Sequence, residues 1–217
     1  MANGVSGTKG ASPAASSEAP VNTLKPTGEI DPWSMTMSSD QIAWLKQNTE
    51  GIKDYAKTLE TIHNFTGSWS SDIRAAQKKG DTTSDYGRAG VRLEDYISKA
   101  TQWDNSRDLH RGMTLDESVI KGILDGISSG KTYDINYGGT ASWSTKYAKS
   151  ESFCYGKGVK VIFRTKKMKK ATPVMHLSSV HGEMEVLSSK DNMFKPISAK
   201  KKMINGKEGW LIDVEQV

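Results

Sequence analysis

The sequence lacks several features whose absence excludes particular classes of protein. Its single cysteine, Cys154, excludes an internal disulfide and a zinc site built on several cysteines, and fits a reducing compartment. No apolar run approaches the roughly 20 residues that a membrane helix needs. Neither a G-x-G-x-x-G nor a P-loop pattern is present, which argues against a Rossmann or P-loop nucleotide site. The four histidines are scattered without metal-ligand spacing: His63, His110, His176 and His181.

The N-terminal segment has little that could fold or direct the chain to a membrane. It begins MANGVSGTKGASPAASSEAP, with no basic head before an apolar core, so we expect no secretory signal. Glycine stands at position 4 rather than 2, which argues against myristoylation. Residues 1 to about 30 are rich in small and polar types, and burial would not offset the entropy of ordering them. We predict a disordered arm there, followed by one soluble domain over residues 31–217.

Composition is that of a globular domain with a modest positive charge. The chain has 217 residues, 35% of them hydrophobic, which is enough for one domain with a core. Lysine and arginine number 30 against 25 acidic residues, giving a formal charge of +5 that favours anionic partners without naming one. The basic runs KKMKK at 166–170 and KKK at 200–202 are interpreted as solvated loops. The alternative is that they attract acidic or RNA-associated proteins.

Helical periodicity dominates residues 31–105. A first helix is expected after a cap at Ser39 or Asp40, and a second after a cap at Ser71 or Asp72. A third, RLEDYISKATQW, carries an apolar stripe that we interpret as core. The apolar residues on which these predictions depend are Ile42, Leu45, Ile52, Tyr55, Leu59, Ile62, Leu93, Tyr96 and Ile97.

Short alternating runs dominate residues 106–217. SRDLHRGM predicts a strand, and the next segment predicts a helix capped by Thr114, with Glu117 completing a capping box and Gly130 ending it. YAKSESFCYG predicts a helical turn or two. Strands are then predicted around GVKVIFRTK, TPVMHL, EMEVLSS, MFKPIS and GWLIDVEQV. Helices first and strands later indicate an α+β domain with antiparallel sheets.

Three short motifs in this second half carry candidate chemistry. Arg111 follows His110 and precedes Gly112, and an arginine at a strand end beside glycine can clamp a phosphate, although most arginines are solvated surface residues. Ser142 and Ser144 flank Trp143 on a predicted strand and so share a face. Paired hydroxyls also commonly satisfy local backbone groups, so the pair alone does not define a site.

The third motif is a pair of glutamates. Glu183 and Glu185 are two residues apart and precede the apolar pair Val186-Leu187, so an extended chain would place both carboxylates on one face. Such a pair is usually a solvated face; here repulsion and partial desolvation would both cost free energy. His181, two residues earlier, is interpreted as an exposed loop histidine, with contact to a substrate or target as the alternative.

In order and spacing, these motifs resemble the R-S-E class of mono-ADP-ribosyltransferases, which use NAD as substrate. The resemblance extends over about 108–217, and Ser150 and Phe153 fall where the family places a small residue and an aromatic. Trp143 replaces the middle threonine of the family's Ser-Thr-Ser motif. The segment MHLSSVHG before Glu183 lacks the aromatic with which many relatives contact their target.

The resemblance implies a fold, a co-substrate and roles for the motif residues. The fold would be ADP-ribosyltransferase-like, with N-terminal helices and two packed, mainly antiparallel sheets that form an NAD cleft; no metal is implied. Arg111 would clamp a phosphate of NAD, and Ser142 would orient Glu185. Glu185 would stabilise positive charge that develops on the ribose as nicotinamide leaves. Gly112, Ser144 and Phe153 would complete the NAD-binding set.

The resemblance also implies an acceptor. Glu183 would attract and deprotonate an arginine guanidinium, since glutamate at this position goes with arginine acceptors and glutamine with others. The implied enzyme is an NAD–protein-arginine ADP-ribosyltransferase, monomeric and without a membrane partner. It would act on host proteins that bear an accessible arginine, with acidic or RNA-associated host proteins as candidates. Its small size is similar to phage-encoded or injected bacterial versions that act in a host cytoplasm. The alternatives are an NAD glycohydrolase, a basic nucleic-acid-binding module and an inactive relative.

Overall fold

The computed structural model describes residues 54–100, 102, 103, 105, 107–174, 177–180 and 183–217. The predicted arm and the start of the first predicted helix, with its caps Ser39 and Asp40, lie outside the described residues. His176 and His181 lie outside them as well. No helix within the described ranges is long and apolar enough to cross a membrane.

Within the described residues, three helices precede the sheet: α1 (Tyr55–Thr66), α2 (Ser70–Lys78) and α3 (Asp85–Lys99). Asp54 caps α1 by accepting a hydrogen bond from the backbone N–H of Lys57. The prediction that Ser71 or Asp72 caps α2 was wrong, because the helix begins at Ser70 after Trp69, which makes no side-chain cap bond. Asp72 instead lies in the first turn, where its charge is favourable near the positive end of the helix dipole.

Two further helices lie among the strands: α4 (Glu117–Ser129) and α5 (Tyr147–Ser152). The predicted capping box on α4 was wrong. Thr114 belongs to the preceding strand, where it pairs with Lys160, and Asp116 occupies the N-cap without a side-chain bond. Thr114 lies two residues before the N-cap, and its hydroxyl accepts a hydrogen bond from Lys160 Nζ at 3.1 Å instead of capping the helix. Gly130 ends α4 in the left-handed region at φ 69°, as predicted.

Seven strands form one sheet in the order β4-β5-β2-β1-β3-β7-β6. All neighbouring pairs are antiparallel except β3 and β7. The predicted two sheets are instead joined, by a single registered pair between His110 and Ser144 of β1 and β2. This junction therefore brings the first two sequence motifs together. The strands are β1 (Leu109–Leu115), β2 (Ala141–Ser144), β3 (Val159–Thr165), β4 (Ala171–Pro173), β5 (Glu185–Ser188), β6 (Phe194–Ile204) and β7 (Lys207–Gln216).

The core holds β5 between two apolar clusters. Val186 and Leu187 are both fully buried, but they belong to different clusters because successive strand residues face opposite ways. The cluster around Val186 contains Trp143 and the buried face of α4; the cluster around Leu187 contains the stripes of α1 and α3. The predicted stripe residues Leu59, Ile62, Leu93, Tyr96 and Ile97 are confirmed as core. Glu185, the first residue of β5, is thus held on a rigid element.

Candidate active site

A cavity of about 750 Å³ opens where α2, β1, β2, α5 and the segment before β5 meet. A cavity of this size falls within the range of roughly 300–1,000 Å³ that small-molecule and cofactor sites occupy. Motifs far apart in the chain therefore meet at one place, as the sequence predicted, while their roles stay predictions. All of the predicted site residues line it: Arg111, Gly112, Ser142, Ser144, Phe153, Glu183 and Glu185.

Glu185 is a nearly buried carboxylate in this cavity. It is 3% exposed, and its Oε2 accepts a hydrogen bond from Ser178 Oγ at 3.2 Å. Burial raises the pKa of Glu185 and the nearby charge of Glu183 raises it further, whereas hydrogen bonds from Ser142 and Ser178 act in the opposite direction. The Ser142 hydroxyl is thus within hydrogen-bond reach of Glu185, and its role in orienting that carboxylate stays a prediction. The free energy spent on burying this charge is typical of a functional group.

The predicted extended geometry of the glutamate pair was wrong. Glu183 precedes the strand in a short turn, and Met184 has a left-handed φ of 48°, so β5 begins only at Glu185. A non-glycine residue in this region costs free energy and is most common at functional sites. Both glutamates nevertheless line the same cavity, because the bend at Met184 redirects Glu183.

Glu183 is held through its backbone and its side chain. Ser144 Oγ donates a hydrogen bond to the backbone carbonyl of Glu183 at 2.6 Å, so this hydroxyl fixes the turn. The predicted contact of Ser144 with NAD would have to be made in addition to that bond. The Glu183 side chain forms an ion pair with Lys149 of α5, with Nζ 2.7 Å from Oε1.

Two guanidinium groups converge in the cavity. Arg111 Nη1 donates to the backbone carbonyl of Ser142 at 2.9 Å, and its Nε is buried without a partner. Arg74 of α2 also lines the cavity, and neither arginine has a carboxylate ion pair in the part of the chain that the structure describes. Burial, and secondly the charge of Arg74, lower the pKa of Arg111, which still keeps its charge at neutral pH. The arrangement suits an anion.

Gly112 contributes close packing to the site. A Cβ atom here would lie 1.7 Å from the backbone oxygen of Ser150, so α5 can pack on β1 only at a glycine. The Ser150 hydroxyl donates to the backbone carbonyl of His110 at 2.9 Å and pins the same contact. Phe153, just after α5, is 44% exposed at the cavity. The family resemblance implied that Gly112 belongs to the NAD-binding set, and the structure adds a packing role for it.

No protein-family model matches the sequence, and no curated protein does, but solved structures do. The Vis toxin of Vibrio splendidus, an ADP-ribosyltransferase, matches at 18% identity over 91% of each chain, with a TM-score of 0.60. Plx2a, an ADP-ribosyltransferase toxin of Paenibacillus larvae, matches at 13% identity over 82% of this chain and 90% of that one, with a TM-score of 0.58. The eucaryotic mono-ADP-ribosyltransferase ART2.2 matches at 12% identity over 78% and 70%, with a TM-score of 0.53.

This chain has the ADP-ribosyltransferase fold. The predicted α+β class is confirmed by these likenesses and by the observed helices and mainly antiparallel sheet. At such low identities a shared fold does not carry a shared activity. The chemistry has to be argued from the cavity itself.

Sequence reasoning missed three residues of the site: Arg74 and Lys149, which line the cavity, and Ser178, which donates a hydrogen bond to Glu185. Arg74 is one of 30 basic residues and lies in a helix that no motif marks. Lys149 lies in YAKSESFCYG, whose pattern predicts only a helical turn or two, and Ser178 lies in MHLSSVHG, which carries no motif residue. Their closeness to the motifs comes from tertiary packing, so no local signal could have identified them.

No metal is suggested by the described residues. Within the ranges that the structure describes, no group of three or more histidine, cysteine or acidic residues could hold a metal ion. The prediction that the chemistry needs no metal stays a prediction.

Proposed function

We propose that this protein transfers ADP-ribose from NAD to arginine side chains of target proteins and releases nicotinamide. The observation that carries the proposal is the nearly buried Glu185 in the same cavity as two arginines without carboxylate partners among the described residues. A site that combines an anion-binding half with a buried carboxylate fits a substrate with a pyrophosphate and a group that becomes cationic.

The arginine half of the cavity fits the pyrophosphate of NAD. Arg111 has a buried Nε that lacks a partner, and an anion would satisfy it. Arg74 supplies a second guanidinium, and both arginines also line a neighbouring cavity of about 360 Å³. Exoenzyme S of Pseudomonas aeruginosa, a structure of the same fold at 16% identity, was solved bound to carba-NAD, which supports NAD as the ligand.

The carboxylate half of the cavity fits bond cleavage at the ribose. NAD supplies a leaving group that is already cationic and departs as neutral nicotinamide, so the protein needs no general acid for this step. Glu185 stabilises the positive charge that develops on the sugar, and it does so strongly because burial keeps water away. Ser142 and Ser178 hold the Glu185 carboxylate in place by hydrogen bonds, so little reorganisation is needed.

Glu183 supports an arginine acceptor. Its carboxylate is 15% exposed, so it can meet an incoming cation while lying in the same cavity as Glu185. A guanidinium must be oriented and lose a proton to attack, and Glu183 serves as the base. Vis was also solved in complex with agmatine, a small guanidine compound, at 17% identity to this chain. That complex supports a guanidine acceptor here.

Target and place of action are proposals that rest on the family resemblance. We propose a host protein with an accessible arginine as the target and the host cytoplasm as the place of action, for a phage or bacterial effector. Matching structures that fit this view include HopU1 of Pseudomonas syringae and exoenzyme S in complex with a human 14-3-3 protein.

The test is to incubate the purified protein with labelled NAD and agmatine, or with a cell extract, and to measure nicotinamide and label transfer. We expect nicotinamide release, and protein label that hydroxylamine removes and mercury salts do not. Nicotinamide release with no labelled product would favour NAD glycohydrolysis. Absence of nicotinamide release, together with salt-dependent binding to RNA, would favour the basic nucleic-acid-binding module.

A further inference from the structure

The carboxylate that we assign to the acceptor already has a cation on it. Lys149 Nζ lies 2.7 Å from Glu183 Oε1, and the ammonium also lies 5.3 Å from the centre of the Phe153 ring. An acceptor that pairs with this oxygen has to compete with the ammonium. The ion pair therefore bears directly on which cations can enter the cavity.

Both partners of this ion pair are held in place by their surroundings. Lys149 lies on α5, which is fixed to β1 by the close contact of Gly112 with Ser150. Glu183 is fixed by the hydrogen bond that its backbone carbonyl accepts from Ser144. These contacts hold the backbone on both sides of the ion pair, so pairing costs less entropy than between two mobile segments. The contact is thus built by the fold around it.

The pair is also less screened by solvent than an ordinary surface pair. The side chains of Lys149 and Glu183 are 31% and 15% exposed. Lys121 and Asp125 on α4 form an ion pair with the same 2.7 Å separation, but their side chains are 76% and 65% exposed. Because screening falls with burial, the pair in the cavity is the stronger competitor for an incoming cation.

We propose that Lys149 is a built-in competitor of the acceptor that selects guanidinium over ammonium. The proposal rests on the proposed function, since it takes Glu183 as the acceptor's carboxylate. A guanidinium presents two parallel N–H donors to a carboxylate and can outcompete a single ammonium, whereas a lysine or amine acceptor would only replace one ammonium by another. Lys149 thereby acts as a specificity residue without taking part in the chemical step.

Displacement of Lys149 leaves no charge stranded. As the guanidinium arrives at Glu183, the ammonium moves away, so the Glu183 carboxylate has one cationic partner before and after the exchange. The exposed ring of Phe153 lies within cation–π range of the ammonium, so Lys149 keeps a partner at the cavity mouth. The exchange needs only rotation of a lysine side chain, which is fast compared with a catalytic cycle.

The test measures nicotinamide release at saturating NAD as agmatine is varied. In K149M we expect the KM for agmatine to fall about threefold to fivefold and kcat not to be reduced. The factor in KM is the one by which loss of a partly exposed ion pair changes a competing equilibrium. In K149R the arginine holds Glu183 bidentately, so the KM should rise at least about twofold. K121M, which removes the exposed pair on α4, is the matched control and should leave the KM unchanged.

Each result decides the matter. An unchanged or higher KM in K149M, with active wild-type protein, overturns the inference and leaves the proposed function intact. If K149M does not fold, K149R decides, and a KM that is unchanged or lower overturns the inference. If the wild-type protein releases no nicotinamide, the proposed function fails and this inference fails with it.

Discussion

Replacing Gly112 by alanine tests whether the site depends on the close contact between β1 and α5. The new Cβ would lie 1.7 Å from the backbone oxygen of Ser150, whereas real Cβ atoms essentially never come within 3.0 Å, so the two elements must separate by about 1.3 Å. The obstacle is backbone that cannot rotate away. Overpacking of this kind typically costs about 1–3 kcal/mol of unfolding free energy.

The displacement should reach the ligand site as well as the fold. α5 carries Lys149, and Phe153 follows it, so moving α5 off β1 disturbs one wall of the cavity. We expect G112A to unfold at lower denaturant concentration with an unchanged m-value, and to bind NAD at least about tenfold more weakly. Urea unfolding followed by tryptophan fluorescence and titration calorimetry with NAD would measure the two effects.

Gly122 provides the matched control. It lies inside α4, and a Cβ there would meet nothing within 4 Å. G122A should stabilise the protein by about 0.5–1 kcal/mol, because alanine favours helix over glycine, and should leave NAD binding unchanged. If G112A matched G122A in stability and NAD affinity, the assigned contact between β1 and α5 would be refuted.

Three further predictions concern other parts of the structure. R74A should weaken NAD binding about tenfold in calorimetry, since a charge-assisted contact to phosphate is lost. R88A, on the exposed face of α3, is the control and should bind NAD like wild type. Equal NAD affinities of R74A and R88A would contradict the anion site. E94A should lower the unfolding free energy, measured in urea, by about 2 kcal/mol, because Glu94 accepts hydrogen bonds from Thr140, Ser189 and the backbone of Lys190. An E94A variant as stable as wild type would show that these bonds do not contribute to stability. Burial raises the pKa of Glu185, so its ionisation costs stability as the pH rises above about 4.3, the pKa of glutamate in an unfolded chain. E185Q should therefore be more stable than wild type at pH 7, and the difference should vanish near pH 4. A more stable wild type at pH 7 would contradict the burial cost.

The sequence was informative where a local pattern decides the structure. The apolar stripes of α1 and α3 and the alternating runs of the strands predicted the elements, because periodic burial dictates both. Gly130 predicted a helix end because glycine adopts φ 69° without strain. The order of three motifs predicted one cavity because their strands meet in a single sheet.

The sequence was misleading where tertiary contacts override local preference. Thr114 has good capping chemistry, but its backbone pairs with Lys160. The glutamates follow a strand-like spacing, but Met184 bends the chain in the left-handed region, which no residue pattern marked. Arg74 reaches the cavity only because α2 packs against the turn at Gly138 and Gly139, a contact that a single sequence does not encode locally.

The most direct test of the central claim measures NAD cleavage and label transfer separately in two variants, E185Q and E183Q. With labelled NAD and agmatine, E185Q should lose both nicotinamide release and labelled product by about 100-fold or more, because the charge facing the sugar is removed. E183Q should keep nicotinamide release and lose labelled product, because water can still serve as acceptor while the base for the guanidinium is gone. Full labelling by E185Q, or loss of both products by about the same factor in E183Q, would contradict the account.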